Sequence, residues 1–531
     1  MAREFNTAHA NRPEQHYTLP PLARMPPDVE ELVHGSYYFV LHAPRQSGKT
    51  TTVMALADKL RQDGRYAVVF CTVEAARNTR ALADVVGTVV DALRLAATRQ
   101  LPQPDRPPRE DPFESERPRT RLYTYLSAWS AACARPLVLF IDEIDCLEEE
   151  GLVSVLSQLR MGYAERPKGF PHSVCIFGMR DVRDYKVLSG GLDRLASSSP
   201  FNIKRKSVTL DTFTRAEIAD LYGQHTAETG QAFTDAAVDR VVHWTGGHPH
   251  LVNALANDIV GEQKWTATID VAQVDAAKER IVLQWGTHFD SLMMRLREER
   301  VRRVLEPILA GSEIGSGDLE DDRYCRDLGL IGGRNGDIAN AIYREVIPRC
   351  LSGQWQHKLR VVHGRWHRDD GRLDIDGLRA ALLWFWREHA ESFVRDETYH
   401  EVAVHLVFMG FLQRIVNGGG LVDREYAAGS KRMDLLIRWP LADADGKVPL
   451  YPTRYERHLF ELKVWHPDRA DPLPEGLAQV GEYLARGPCD SASLLIFDRR
   501  KGALRKKWAT RCKVEAVQPV VAGSAVWVFR G

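Results

Sequence analysis

Two sets of residues in this 531-residue sequence have the types and spacing to do phosphate chemistry. The first is Ala43-Pro44-Arg45-Gln46-Ser47-Gly48-Lys49-Thr50-Thr51. It is entered from the apolar run Tyr37–Leu41 and left through Val53, Met54, Leu56, Ala57 and Leu60. The closing Gly-Lys-Thr stands where a strand-like run becomes a helical one, the context in which this spacing means a phosphate cradle. Loop N–H groups and the helix start would face a polyphosphate. Lys49 would reach the outer phosphates, and the Thr50 hydroxyl would ligate Mg²⁺. Ala43 stands where a first glycine is usual, so the bend there must suit a Cβ. The plain competing reading is a glycine-bearing turn with no ligand.

A partner for that loop lies at Pro136–Glu143, a continuous apolar run ending in Asp142-Glu143. Such a strand delivers its last residues to the sheet edge where α/β proteins bind ligands. Asp142 would hold the Mg²⁺ shell and Glu143 would polarise an attacking water. The acidic surroundings, Asp145 and Glu148-Glu149-Glu150, offer a solvated acidic turn as the alternative. Arg180 ends the next apolar run, from Ser173, and is placed to sense a γ-phosphate. Arg45, Arg160 and Arg183 compete for that role.

The second set lies far downstream. Arg432-Met433-Asp434-Leu435-Leu436-Ile437 and Arg457–Trp465 both read as strands. In the second, Glu461 and Lys463 share one face while Phe460, Leu462 and Val464 share the other. An Asp on one strand and Glu-x-Lys on the next can converge on one or two Mg²⁺ ions, with Mn²⁺ as a substitute. The lysine then orients or activates a water at a phosphodiester. Gln479 and Tyr483 sit one helical turn apart on a following helix, and Glu401 on a preceding helix would complete the metal shell. Glu-x-Lys alone means nothing, since Glu262-Gln263-Lys264 also occurs here. A hairpin with solvated charges is the structural alternative, and residues 442–454 fill the long gap between Asp434 and Glu461 as a hairpin extension.

These groups need scaffolds. The length implies several domains. Residues 1–30 read as a polar, proline-rich arm. Residues 31–207 alternate strands and helices, implying a parallel-sheet α/β core covered on both faces, and residues 101–120 read as an exposed insertion. Residues 208–285 turn helical and form a lid, in which Gly247-His248-Pro249 opens a helix. Residues 286–354, with a cationic helix from Arg295 and a glycine-rich tip at 332–336, suggest a winged-helix module, which binds DNA or docks proteins. Residues 355–531 form a C-terminal α/β domain. Lys+Arg and Asp+Glu are both 71, so a nucleic-acid surface must be a local patch; the basic residues from Arg499 to Lys513 are one candidate. Eight scattered cysteines give neither a zinc spacing nor a disulfide framework. With no apolar leader and no run near ~18 apolar residues, the expectation is a soluble cytoplasmic protein without a membrane partner.

Taken together, the loop, Phe140-Ile141-Asp142-Glu143, Gly178-Met179-Arg180-Asp181 and Thr245-Gly246-Gly247-His248-Pro249 resemble bacterial AAA-like P-loop ATPases of the STAND and origin-recognition-type branch. That resemblance implies ATP with Mg²⁺ and puts Pro249 in the lid turn that approaches the nucleotide. The C-terminal part resembles PD-(D/E)xK nucleases of the RecB-like type. Their restriction-endonuclease-like fold would place the metal acids at Asp434 and Glu461, the lysine at Lys463, the helical motif at Gln479 and Tyr483, and the helix acid at Glu401. The expected function is an ATP-controlled, metal-dependent DNA endonuclease, with defence or mobile-element roles as an association of the family. A signalling or assembly ATPase, or a DNA loader, whose nuclease-like domain only binds is the alternative. DNA is the favoured partner; a homo-oligomer and a regulatory protein stay open.

Overall fold

The computed structural model describes residues 3–8, 10–108, 117–147, 149–178, 203–284, 292, 294–309, 319–333, 336–347, 367–368, 370–389, 408, 411–412, 421–428, 431–442, 454–465, 469–487, 489–498, 513–515 and 519–531. Two compact units emerge. The first comprises residues 1–268 and 318–332, the second 269–317 and 333–531.

The first unit is built on five parallel strands: β1 (Tyr38–His42), β2 (Ala67–Thr72), β3 (Leu137–Asp142), β4 (Ser173–Gly178) and β5 (Lys204–Thr209), in the order β2-β3-β4-β1-β5. Their alternating side chains feed two cores, as period-2 geometry demands. Phe39, Leu41, Val138 and Phe140 pack with α1 (Val29–His34) and α2 (Lys49–Gln62). Tyr38, Val40, Leu139 and Ile141 pack on the other face with α3 (Leu82–Gln100), α4 (Pro118–Ala132) and α5 (Glu149–Met161). The edge strand β5 carries exposed Arg205 and Lys206, charges that discourage further strand pairing. The helical stretch follows with α6 (Arg215–Thr229), α7 (Asp235–Thr245) and α8 (Pro249–Asn257). A Thr214–Glu217 capping box starts α6, and Pro249 starts α8 at a position that needs no N–H donor.

One sequence expectation, the exposed 101–120 segment, needs correction here. The N-terminal arm is irregular, but it is packed: Phe5 and Tyr17 are buried beside Tyr222, His225 and Phe233, and Arg3 pairs with Glu228 at 3.0 Å. Its aromatic residues supply the burial that its composition hides. The 101–120 segment is not wholly exposed either. Leu101 and Asp105 are buried, and Asp105 is fixed by Arg135 and accepts from Trp129 through its backbone carbonyl.

The second unit contains α9 (Val271–Gln284), the helix Glu299–Leu309, a short β7 (Asp337–Ile338; β6, Ile331–Gly332, belongs to the first unit) and the helix Ile375–His389. Its sheet runs β12 (Lys513–Val514), β14 (Ser524–Arg530), β11 (Ser491–Asp498), β10 (Tyr455–Trp465), β9 (Lys431–Pro440), β8 (Leu421–Ala428), with β13 (Val520–Val521) beside β14. Strands β8, β9 and β10 form an antiparallel meander. The helix Leu473–Arg486 then carries the chain to β11, which lies parallel to β10. Among the described residues, no helix is long and apolar enough to cross a membrane.

Candidate functional site

The first site grows from the strand–loop–helix Tyr38–Gln62. Ala43 is fully buried and takes no left-handed conformation; those fall to Gln46 (φ 57°) and Gly48 (φ 87°). The Cβ at the usual first glycine position is therefore absorbed by core packing. A side chain at Gly48 would be strained, and its Cβ would lie 2.7 Å from Arg24 Nη2. Lys49 Nζ donates to the carbonyls of Ala43 (2.7 Å) and Pro44 (2.8 Å), and Ser47 Oγ donates to Pro44 O at 2.7 Å. Burial pulls the Lys49 ammonium below its usual pKa, against the opposing charges of Asp145, Asp142 and Glu143.

Strand β3 brings the carboxylates. β4 separates β1 from β3, yet Thr50 Oγ1 reaches across to donate to Asp142 Oδ2 at 3.0 Å. Asp142 Oδ1 accepts from the Glu143 N–H at 2.8 Å. Burial first, and the Glu143 charge next, push Asp142 up to about 6. Glu143 sits in the left-handed region at φ 58°, 3.4 Å from Arg77, and is also raised by burial and then by Asp145. Thr50 and Asp142 together are a hard-oxygen pair that fits Mg²⁺, which takes one or two protein oxygens and the rest from phosphate and water.

The turn before α8 meets this loop. Gly247 (φ 76°) accepts from Phe213 N–H at 2.8 Å, and a Cβ there would lie 2.0 Å from Phe213 O. His248 is buried against the Arg45 backbone, and burial pushes its pKa down to about 3. Pro249 follows as the buried first residue of α8. Sequence reasoning missed Arg24. Its guanidinium donates to Ser47 O (3.1 Å) and Asp211 O (2.8 Å) and lies 4.6 Å from the Phe213 ring centre. The arm also reaches α2, where the Asn11 N–H donates to Thr51 Oγ1 at 3.1 Å. Aromatic residues spaced through a polar leader were the one available signal. Arg180 lies outside the described residues.

The second constellation lies on β10. Leu459 belongs to the core under the helix Leu473–Arg486, and Phe460, Leu462 and Val464 to the opposite core, so alternation puts Glu461 and Lys463 on the helix side. Glu461 is 2% exposed. Lys463 Nζ lies 3.5 Å from Glu461 Oε1 and 3.2 Å from Glu475 Oε1. Glu475, Gln479 and Tyr483 recur every fourth residue along that helix, and Glu475 is a residue the sequence reading did not single out. Gln479 Oε1 is buried with no hydrogen-bond partner among the described residues. The β9–β10 ladder ends on the pair Leu435 and Phe460; Asp434 and Glu461 are the next residues on the two strands. The described ends of the gap between them meet, with Leu441 N–H donating to Arg454 O at 3.0 Å; residues 443–453 lie outside the described residues. Glu401 and the basic run 499–512 lie outside the described residues. Among the described residues, no three His, Cys, Asp or Glu side chains gather as a metal-holding group.

Residues 33–185 match the sequence-family model of the AAA domain. This segment is an AAA-type P-loop ATPase domain. No curated protein matches the chain. Among solved structures, the chain is similar to a Walker-type ATPase of Pyrococcus abyssi (14% identity, TM-score 0.45, covering 65% of this chain and 99% of that one). It is also similar to Cdc6p of Pyrobaculum aerophilum (14%, 0.35, 76% and 97%) and to the RuvB Holliday junction branch migration motor of Thermotoga maritima (14%, 0.31, 63% and 92%).

The raised Asp142 carboxyl gives the AAA domain a testable pH signature. Because its folded pKa lies above the ordinary carboxylate value, the stability it contributes is present below about pH 4 and lost as the pH rises through about 6. In metal-free buffer, Asp142→Asn is therefore expected to be more stable than wild type at pH 7.5, by at most roughly 3 kcal/mol, with the difference shrinking towards pH 4.5. Urea unfolding midpoints across that range check it. A constant difference would assign the pH dependence elsewhere.

Proposed function

We propose that the AAA domain binds and hydrolyses Mg²⁺–ATP and thereby controls a metal-dependent DNA endonuclease formed by residues 355–531. The observation that carries the nuclease half is the antiparallel pairing of β9 with β10 up to Leu435 and Phe460, which leaves Asp434 and Glu461 next on the two strands and Lys463 two residues beyond Glu461. The order of elements supports it: a helix, a three-strand antiparallel meander, a covering helix and a strand parallel to the last of the three. In this reading an acid pair, a lysine and a glutamine share one sheet face.

In this reading Lys49 and the loop N–H groups hold the phosphates, Thr50 and Asp142 hold the Mg²⁺, and Glu143 takes the proton of the attacking water. Arg180 and Pro249 contact the nucleotide. In the nuclease domain Asp434, Glu461 and Glu401 would hold Mg²⁺ or Mn²⁺, and the ion would supply charge neutralisation at the scissile phosphate. Lys463 orients the water and Gln479 fixes the lysine and substrate side of the site, with Tyr483 packing behind it. The helical lid (208–285) and the winged-helix-like module (286–354) lie between the two activities along the chain.

Supercoiled plasmid incubated with the full chain, Mg²⁺ or Mn²⁺, and with or without ATP tests this. Nicking or linearisation by wild type that responds to ATP supports it. No cleavage under any of these conditions rejects the nuclease half. A protein that hydrolyses ATP and binds DNA without cutting it would instead be a signalling ATPase or loader.

A further inference from the structure

The chain leaves the first unit after Thr268 and returns to it for residues 318–332, while 269–317 and 333–531 belong to the second unit. The returning piece is the helix Leu319–Asp327, the Leu328-Gly329-Leu330 turn and β6. Tyr324, Cys325, Leu330 and Ile331 are buried and anchor it. Two contacts then fall on the root of the P-loop. Asp327 Oδ1 lies 3.4 Å from Nδ1 of His42, the last residue of β1, with both side chains 9% exposed. Gly329 sits at φ 72°, and a Cβ there would lie 2.4 Å from Pro44 Cγ and 2.7 Å from Pro44 Cβ. Only glycine allows both the left-handed backbone and this approach.

These contacts bracket Ala43, one on the residue before it and one on the residue after. A buried, close-packed contact does not deform smoothly, so a shift of the loop root carries its neighbours with it. We propose that residues 319–332 read the conformation of the P-loop, with Asp327 and Gly329 coupling nucleotide binding to the chain that continues into the second unit. The inference rests on ATP binding at the AAA domain, not on the nuclease.

Hydrogen exchange of peptides spanning 319–332 in the full chain, with and without Mg²⁺–ATP, tests it. Exchange is expected to slow at least about tenfold with ATP in wild type and to stay unchanged in Lys49→Ala. Gly329→Ala, which forces a Cβ into Pro44, is expected to weaken ATP binding about tenfold. Asp327→Asn keeps the shape and is expected to lose the exchange response while melting as wild type does. Wild type that binds ATP by calorimetry without slowing exchange in this segment overturns the inference alone. Gly329→Ala that melts and binds ATP as wild type does so too. Absence of ATP binding by wild type overturns both this inference and the ATPase reading.

Discussion

Lys49→Ala is expected to abolish ATP turnover while leaving the fold intact. The ammonium is held by the carbonyls of Ala43 and Pro44, inside the loop it is to serve. Burial already weakens its charged form, and three carboxylates oppose that shift. A preorganised charge in a desolvated site is worth far more to a developing phosphate charge than the same charge in water. Losing one such donor typically costs about 10²–10³ in rate, and the loss here includes the positive charge itself. Phosphate release at saturating Mg²⁺–ATP is the measurement. The thermal midpoint should barely move, because an alanine relieves a buried charge. Turnover within a few-fold of wild type would remove Lys49 from the machinery.

The second large effect belongs to the C-terminal sheet. Glu461→Gln and Lys463→Met are each expected to reduce plasmid cleavage by at least about 10², with ATP hydrolysis retained. Both substitutions keep side-chain volume, so a folding defect is distinguishable by circular dichroism. Glu461 is 2% exposed and its charge is met by Lys463 at 3.5 Å. A buried carboxylate in this position is costly unless a cation compensates it. Cleavage that survives Glu461→Gln at wild-type rate would place the cutting centre elsewhere. The contrast with Lys49→Ala is informative: one variant should lose the fuel and keep the blade, the other the reverse.

Much of this was legible before any fold was known, for local reasons. Apolar runs of strand length such as Tyr37–Leu41 and Pro136–Ile141 bury both faces, and a parallel sheet is the architecture that requires that. Asp142 ends such a run and Gly48-Lys49-Thr50 follows one across a short loop, so both fall at the sheet edge where α/β proteins bind ligands. Glu461 and Lys463 share a face because strand alternation leaves no choice. What escaped was long-range and carried no period. Arg24 matters through two backbone carbonyls, Ser47 O and Asp211 O, and a carbonyl has no sequence signature. Phe5 and Tyr17 were too few to mark the arm as packed. Asp327 and Gly329 carry no motif, and their contacts with His42 and Pro44 span almost three hundred residues. Glu475 was hidden because one more acid at a helix start is unremarkable.

The return of residues 318–332 to the first unit also sets an order of events during synthesis. The ATPase half cannot close its last contacts until Gly332 has been made, and Asp434 lies roughly a hundred residues beyond that point. At ordinary translation rates the two are on the order of 5–20 s apart. On the proposed reading, a chain emerging from the ribosome thus has its whole ATPase half synthesised before Asp434, Glu461 and Lys463 exist. If those three residues cut as proposed, no nascent molecule carries them without the ATPase half proposed to control them.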